Sequence, residues 1–386
     1  ESLRTCFRKQ DDQLLLRIHP VGDFELTYER IEETQIPSFL EQLTRPFDLG
    51  TPTLFRCMVA ELGVEHFILA INAHHLIVDG LSMDIVLEDL LQLYDQRELP
   101  PIASSYSAYV EWEKEYLESE KIQQDSTFWK AHLAGKLPRT LLPGDFPREA
   151  SRSFEGKFAT FTLSDPGAVR TLARARAVTN NMLLNAVFQV FLATSTVQAE
   201  ILYGSPTSGR PDHRFVGVVG LFIGVGVYRT RIAADMSFGA LLNDTRSSTL
   251  ALLDAQHYPF ERLAREFDPT HGRMPLFDIG FSFEASQGRS RQQLRDLSLS
   301  PYPLPARGLS MDVVLECLDD GDNFRMRFNY NPRHFRPETV QGWASRFDQL
   351  AQWLLANPDV PLSDLKPIDP QERPVRTPFE QSWEKV

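Results

Sequence analysis

The chain has 386 residues and a formal net charge of −12, from 40 Lys and Arg against 52 Asp and Glu. With 42% hydrophobic and 24% charged residues, its composition is that of a globular protein and excludes a largely disordered chain. The length predicts two or three domains, and the acidic balance disfavours nucleic-acid or anionic-membrane partners, which need basic patches.

The first third of the chain predicts strands followed by helices. A short loop at residues 63–65 predicts a hairpin between two of the strands. Beyond Gly80, apolar residues recur at helical spacing as far as Tyr94, which predicts a core-facing helix with Ser82 as its N-cap. Residues 107–133 predict a second helical stretch. The four apolar runs that predict strands lie at residues 14–18, 24–28, 53–62 and 66–75.

Residues 134–150 contain three prolines and two glycines without periodicity, and they predict a linker between two lobes. We therefore assign residues 1–138 to an N-terminal lobe and residues 139–386 to a C-terminal lobe. Both halves mix strands and helices, so the predicted fold class is α/β in the broad α+β sense. The second half predicts strands at residues 157–163, 200–204, 217–231, 277–283, 311–318 and 324–330, and helices at residues 166–177, 182–195, 238–255 and 337–356.

Neither a membrane span nor a secretory signal is apparent in the sequence. The longest apolar run, residues 216–227, is shorter than the ~20 residues that cross a bilayer as a helix. Cys6, Cys57 and Cys317 are odd in number and scattered, so they predict no disulfide framework and no metal site. We expect a protein of the reducing cytoplasm.

The segment INAHHLIVDG at residues 71–80 contains the strongest candidate site, at a strand-to-helix junction. Adjacent side chains on a strand point to opposite faces, so His74 and His75 cannot both enter one cavity. Asp79 can pair with an arginine and hold the loop, and Gly80 permits close approach of the backbone at the start of the helix. An isolated match of this length is weak evidence, and the spacing does not supply three converging metal ligands.

Five further segments accompany this one along the chain. They are ESLRTCF at residues 1–7, YGSPTSGR at 203–210, VGLFIGVGVYR at 219–229, HYPFERL at 257–263 and FNYNPRHF at 328–335. Together the segments resemble the condensation domain of nonribosomal peptide synthetases. The HHxxxDG motif of that family is matched at His74, His75, Asp79 and Gly80, and the resemblance covers nearly the whole chain.

The resemblance implies two chloramphenicol-acetyltransferase-like lobes in a V-shape with a central tunnel. It also implies amide-bond formation, in which an acceptor aminoacyl amine attacks a donor acyl or peptidyl thioester. His75 would face the tunnel, and Asp79 would be structural, paired with Arg4 as the first candidate or Arg210 as the second. The domain would bind no cofactor or metal itself, because partner carrier domains bring the phosphopantetheine arms. Neighbouring synthetase domains are further expected partners.

Three features depart from the family pattern. The chain starts inside a family motif, so the strand and helix that normally precede it are expected to be missing from this sequence. Leu81 follows the motif where many members have tryptophan, and Gly224 stands where asparagine is usual. The last two departures leave the acceptor side and the substrate class open.

Other functions of the same fold also remain open. They are a starter domain that acylates a first amino acid, an epimerisation domain, a coenzyme A-dependent acyltransferase and a catalytically idle domain that docks carrier proteins. The heterocyclising branch is disfavoured, because its DxxxxDxxS motif is absent from the sequence.

Overall fold

The computed structural model describes residues 1–11, 13–20, 24–148, 154–233, 235–268, 275–285, 297–302 and 308–365. The chain divides into two compact units. The first unit comprises Glu1–Ile122, Ser208–Ile223 and Gln293–Ser298, and the second comprises Gln123–Thr207, Gly224–Gln292 and Leu299–Val386.

The first unit contains a hairpin, a three-stranded sheet and the early helices. In the sheet, β3 runs parallel to β4, and β4 pairs with β5 through an antiparallel hairpin. Helix α4 runs across the boundary into the second unit. The elements are β1 (Thr5–Gln10), β2 (Gln13–Ile18), β3 (Thr27–Arg30), α1 (Ile36–Leu43), β4 (Phe55–Gly63), β5 (His66–Ala73), α2 (Gly80–Tyr94), α3 (Tyr106–Glu118) and α4 (Glu120–His132).

Helix α1 covers one face of this sheet because its apolar residues repeat at helical spacing. Ile36, Phe39 and Leu43 are all buried there. They contact the inward side chains of β4 and β5, which follow the two-residue alternation of a half-buried strand. Those strand residues are Met58, Ala60, Ile68 and Ala70.

The second unit is built on a six-stranded mixed sheet in the order β6-β11-β10-β9-β7-β8. Parallel pairs join β9 to β10 and to β7, and the other neighbours are antiparallel. Its elements are β6 (Lys157–Thr162), α5 (Pro166–Ala175), α6 (Asn180–Thr196), β7 (Glu200–Thr207), β8 (Gly224–Arg231), α7 (Phe238–Asp254), α8 (Phe260–Phe267), β9 (Ile279–Ala285), β10 (Val313–Asp319), β11 (Phe324–Tyr330) and α9 (Pro337–Ala356).

Helix α6 forms the centre of the second unit. Every residue from Met182 to Thr194 is buried, so the helix is covered on all sides rather than along one apolar stripe. Its Phe188 ring lies 5.4 Å from the rings of both Tyr203 and Phe281 on the sheet. The Phe191 ring lies 5.8 Å from that of Phe347 on α9. Rings from α6 thus join the sheet to an outer helix in one core.

Most of the predicted elements are confirmed, and the α+β class with them. The strands at 217–231 and the helix at 107–133 are exceptions, because only Gly224–Arg231 is a strand and the helical stretch breaks between Glu118 and Glu120. Strand β1 and helix α1 were missed. The helix beyond Gly80 begins with Asp79, not Ser82, as its N-cap, because the Asp79 carboxylate accepts from the Ser82 amide.

The structure also differs from the predicted boundary at residue 138. The described part of the predicted linker packs into the second unit through specific contacts. Leu202 N–H donates to Thr140 Oγ1 over 2.7 Å, and Arg139 and Arg148 pair with Asp278 and Asp312. The acceptors Thr140, Asp278 and Asp312 are buried, so these contacts hold the segment against the second unit.

Helix α2 is less buried than its periodicity predicted. Leu87, Leu90 and Tyr94 are 37%, 38% and 51% exposed, so this helix was wrongly expected to face a core along its whole apolar stripe. Among the described residues, no helix is both long and apolar enough to cross a membrane.

Two glycines of the second unit should respond in opposite ways to alanine. A Cβ at Gly204 would lie 2.2 Å from the buried Phe277 ring, so Gly204→Ala should destabilise the protein by about 1–3 kcal/mol through overpacking. Gly342 lies exposed within α9 with open space around it, so Gly342→Ala should stabilise by about 0.5–1 kcal/mol. Urea unfolding midpoints measure both, and shifts in the same direction would contradict this account of the packing.

Candidate active site

The histidine pair lies in a turn between β5 and α2. The strand ends at Ala73, one residue before the pair, so the expectation that both histidines extend the strand was wrong. The His74 amide still donates to the Leu54 carbonyl over 2.8 Å, and the Ile77 amide donates back to the His74 carbonyl over 3.0 Å. The chain therefore leaves the sheet at His74 and turns before the helix begins.

The two histidine side chains have different surroundings in this turn. The Leu76 amide donates to His74 Nδ1 over 3.1 Å, which makes that nitrogen an acceptor, and the ring stands edge-on to Phe47 at 6.1 Å. His75 is exposed, and its ring has no hydrogen-bond partner among the described residues. Only His75 therefore offers both ring nitrogens to a substrate.

Asp79 connects this turn to the following helix. Its side chain is nearly inaccessible to solvent and caps α2 by accepting from the Ser82 amide at 2.8 Å. Its other oxygen accepts from the Phe222 amide at 3.1 Å. A buried carboxylate needs several donors and a counter-charge, and the backbone supplies two of the donors.

Arg210 supplies the counter-charge from a distant part of the sequence. Its guanidinium approaches the two Asp79 oxygens at 3.1 and 3.3 Å, and both side chains are buried. It also donates to the carbonyls of Phe215 and Val218 and lies 4.2 Å from the centre of the Phe222 ring. All three guanidinium nitrogens thus have hydrogen-bond acceptors, which a buried guanidinium needs.

Ser82 completes the network, and the sequence analysis missed its role. Its hydroxyl donates to the Gly220 carbonyl at 2.7 Å and accepts from the Gly220 amide at 3.0 Å. It also accepts from Arg210 at 3.1 Å. Alternating polar and apolar residues around position 82 gave no signal for this role, because the partners lie more than 120 residues away.

The aromatic rings of Tyr106 and Tyr109 pack against the segment that contains Gly220. A Cβ at Gly220 would lie 2.1 Å from the Tyr106 ring, so only glycine lets the chain pass that ring at this distance. Burial raises the pKa of Tyr106 to about 12, and its protonated phenol donates to the Leu221 carbonyl at 2.9 Å. The Tyr109 ring lies 4.5 Å from that of Phe222. These contacts hold residues 219–222 against the Asp79 loop.

Arg4 was the first candidate for the partner of Asp79, and the structure corrects that choice. The Arg4 guanidinium donates to the His19 carbonyl on the adjoining hairpin. Ser2, near the start of the chain, does contact the site, because its Oγ donates to the Val219 carbonyl at 2.6 Å. The N-terminal segment therefore contacts the loop that contains Gly220 through Ser2, while Arg4 supplies no charge to Asp79.

Gly80 is the first residue of α2, and a Cβ there would meet nothing within 4 Å. Among the described residues, the amides of Gly80 and Leu81 have no hydrogen-bond acceptor, as expected for the first turn of a helix. Two free amides and the positive end of the helix thus lie next to the histidine turn.

Gly224, at the position where the family usually has asparagine, has little space beside it. In the second unit, a Cβ at Gly224 would lie 2.7 Å from Thr207 Oγ1 and 3.0 Å from the Gln256 carbonyl. A side chain fits there only if Thr207 moves. No group of three or more possible metal ligands occurs in the described part of the chain.

Comparisons with known proteins agree with the motif pattern. The family model for the condensation domain matches residues 1–374. Tyrocidine synthase 3 of Brevibacillus parabrevis is 31% identical over 378 residues, which are 96% of this chain and 6% of that protein. Surfactin synthase subunit 1 of Bacillus subtilis (strain 168) is 29% identical over 378 residues, 97% of this chain and 10% of the relative. The chain thus spans about a tenth or less of these curated relatives.

Solved structures share the fold. The X-domain from teicoplanin biosynthesis superposes with a TM-score of 0.82 at 22% identity, covering 95% of this chain and 87% of that one. A four-domain nonribosomal peptide synthetase bound to AMP and glycine gives 0.81 at 20% identity, covering 95% of this chain and 30% of that one. The predicted fold class is confirmed, whereas the V-shape and the central tunnel stay predictions.

Removing the buried cation should destabilise the first unit. Arg210→Met leaves the Asp79 carboxylate buried without a counter-charge, which we expect to cost about 3–5 kcal/mol. Arg214→Met is the matched control in the same segment, because its pair with Asp212 is exposed and should contribute little. Urea unfolding followed by circular dichroism compares the two. Equal midpoints for Arg210→Met and the parent would show that the ion pair does not hold the loop.

Proposed function

The chain belongs to the condensation-domain family, and from that premise we propose that it forms amide bonds in a nonribosomal peptide synthetase. An acceptor amine, held as an aminoacyl thioester, attacks a donor acyl or peptidyl thioester. Each substrate arrives on the phosphopantetheine arm of a carrier domain, and neighbouring synthetase domains are the expected partners. Two similarities support this assignment: the curated relatives include tyrocidine synthase 3 and surfactin synthase subunit 1, and a solved structure of similar fold is a four-domain nonribosomal peptide synthetase.

One observation supports the reaction more than any other. His75 is exposed with both ring nitrogens free, while His74 and Asp79 are held by the fold. An α-ammonium group has a pKa near ~8 and must lose a proton before or during its attack. A free imidazole within hydrogen-bond reach can accept this proton or hold the amine in line with the thioester carbonyl.

The reaction needs little else from side chains. A thioester is already activated, so no serine or cysteine nucleophile is required. General-base assistance is worth about 10²–10⁴ in rate. Holding two tethered substrates in line can contribute as much or more through effective molarity. We therefore propose that positioning contributes more than proton transfer, and that His75 acts in both.

The free amides at the start of α2 fit a further part of this mechanism. Attack on the thioester carbonyl places negative charge on its oxygen in the tetrahedral intermediate. The Gly80 and Leu81 amides, at the positive end of the helix, can stabilise that charge. The open space beside Gly80 leaves room for the reacting carbon.

The cysteines support the expected cytoplasmic setting as part of the same proposal. Cys6 and Cys317 are buried free thiols, and Cys57 is a half-buried one. Free thiols persist where disulfides are kept reduced.

The decisive assay supplies donor and acceptor carrier proteins loaded separately and follows the product by mass spectrometry. His75→Ala should lower turnover by about 10²–10⁴-fold, because the amine loses its base and its anchor. His66→Ala is the matched control, since His66 is an exposed histidine at the opposite end of β5. Its turnover should equal that of the parent.

Each other outcome of this assay selects a different function. Turnover of His75→Ala at the parental rate would remove His75 from the mechanism. Product from free coenzyme A thioesters alone would make the protein an acyltransferase. Inversion of the donor α-carbon without amide formation would make it an epimerisation domain, and no reaction with any substrate would leave a docking role.

His74 should behave as a positioning residue in the same assay. Its Nδ1 accepts from the Leu76 amide, and the side-chain oxygen of asparagine can take that acceptor position. His74→Asn should therefore retain more turnover and a higher melting temperature than His74→Ala. If the two variants lose activity equally with unchanged stability, His74 acts on the substrate directly.

A further inference from the structure

A cavity of about 340 Å³ opens in the first unit between the beginnings of β3 and β4. The parallel pairing of these strands starts only at Thr27 and Met58. Before that point, at Phe24 and Phe55, the two segments of backbone are not paired by hydrogen bonds. Their rings remain 5.7 Å apart and form part of the wall. The cavity is of the size that receives a small ligand or a single side chain.

The cavity lies one strand away from the histidine turn. Phe55, which lines it, pairs directly with Ala73, the last residue of β5. The neighbouring Leu54 carbonyl accepts from the His74 amide, and Thr53, also in the wall, precedes it. Adjacent strands are about 4.8 Å apart, so the wall at Phe55 lies one strand spacing from the strand end that leads into the histidine turn.

The lining has a definite chemical character. Phe24 and Phe55 contribute aromatic surface, Thr53 contributes a hydroxyl, and Cys57 contributes a half-buried thiol. Burial raises the pKa of the Cys57 thiol, so it stays uncharged at neutral pH. Glu25 is a further lining residue, and its carboxylate is exposed. Aromatic rings and a carboxylate together favour a neutral or cationic group.

Arg56 also borders the cavity, but its charge is bound elsewhere. Its guanidinium donates to the carbonyls of Leu43, Arg45 and Pro46, and it lies 3.9 Å from the centre of the Phe47 ring. Successive side chains on β4 point to opposite faces, so Arg56 is directed away from the face that Phe55 and Cys57 share. An anionic group would find no available cation among these lining residues.

We propose that this cavity receives the side chain of an aminoacyl substrate held at His75, and that it accepts neutral or cationic side chains and rejects acidic ones. This inference rests on the proposed condensation activity. The side chain can belong to the donor or to the acceptor, because both have the same chemistry. The two carriers are therefore varied separately in the test.

The selectivity test narrows the cavity. Carriers loaded with alanine, phenylalanine, lysine or aspartate are compared, first as acceptors and then as donors. In the parent, the aspartyl carrier should react most slowly on the side that uses the cavity. Cys57→Phe should lower the phenylalanine-to-alanine rate ratio on that side by at least about tenfold, since the added ring occupies the space of the substrate side chain.

Two further variants keep this result interpretable. Thr53→Phe narrows the cavity from an exposed position, so it tests the same space with little effect on folding. Leu69→Phe adds similar bulk on β5 outside the cavity lining, where Leu69 is 36% exposed, and should leave the ratio unchanged. Unchanged ratios in both cavity variants, or an equal loss in Leu69→Phe, would overturn the inference while the parent still forms product. No product from any loaded carrier would instead overturn the proposed function.

Thiol labelling tests the charge preference without any turnover. Aminoethyl and sulfonatoethyl methanethiosulfonates have similar size and opposite charge, and each forms a mixed disulfide with Cys57 while methanesulfinate leaves. The cationic reagent should react at least about fivefold faster after correction for a free small thiol. Glu25→Gln should reduce this preference, and Cys57→Ser should abolish labelling because Cys6 and Cys317 are buried. Equal rates for the two reagents would contradict a cavity that rejects anions.

Discussion

The pairing of Asp79 with Arg210 is the interaction on which the candidate site depends. Both charges are buried, and neither could remain there alone, because desolvation of a single ion costs more than a fold of this size can supply. Backbone carbonyls and the Ser82 hydroxyl accept further hydrogen bonds from Arg210, and the Phe222 amide donates to Asp79. The pair therefore requires a specific path of the chain from residue 210 to residue 222.

That path explains an unusual feature of the topology. Residues Ser208–Ile223 belong to the first unit although the strands on either side, β7 and β8, belong to the second. The charges and amides of this segment make it a component of the histidine loop rather than a simple strand connection. Aromatic packing of Tyr106 and Tyr109 then holds the segment from the other side. The turn that contains His75 is thus held from two sides through Asp79, while the His75 ring itself stays exposed.

Sequence reasoning predicted local structure well and long-range partners poorly. The expectation that the two histidines differ was based on strand alternation, but the chain turns before the pair, and their different surroundings come from the Leu76 amide. The choice between Arg4 and Arg210 could not be made, because the pairing joins positions 131 residues apart. The residues next to Arg4 and Arg210 in the sequence do not indicate which of the two lies near Asp79 in the fold.

Some missed features did have a local signal. Ile36, Phe39, Leu40 and Leu43 follow the spacing of an amphipathic helix, so α1 was accessible to the reasoning that found α2. In contrast, the apolar segment before Gly224 resembles a buried strand by composition alone. Its backbone instead bonds to Ser82, Asp79 and Tyr106, and these partners appear only when the fold assembles.

The departures from the family pattern fall outside this network, so they leave its charges and hydrogen bonds in place. Leu81 is at the second position of α2 with its side chain 36% exposed, so a change there alters a surface and leaves the Asp79 cap intact. Gly224 lies in the second unit, where Thr207 and Gln256 determine what fits. The buried pair is constrained by charge, where a single missing partner is costly. At Leu81 and Gly224 only the space left by neighbouring side chains limits the residue, and a change in one side chain can be offset by a change in its neighbour.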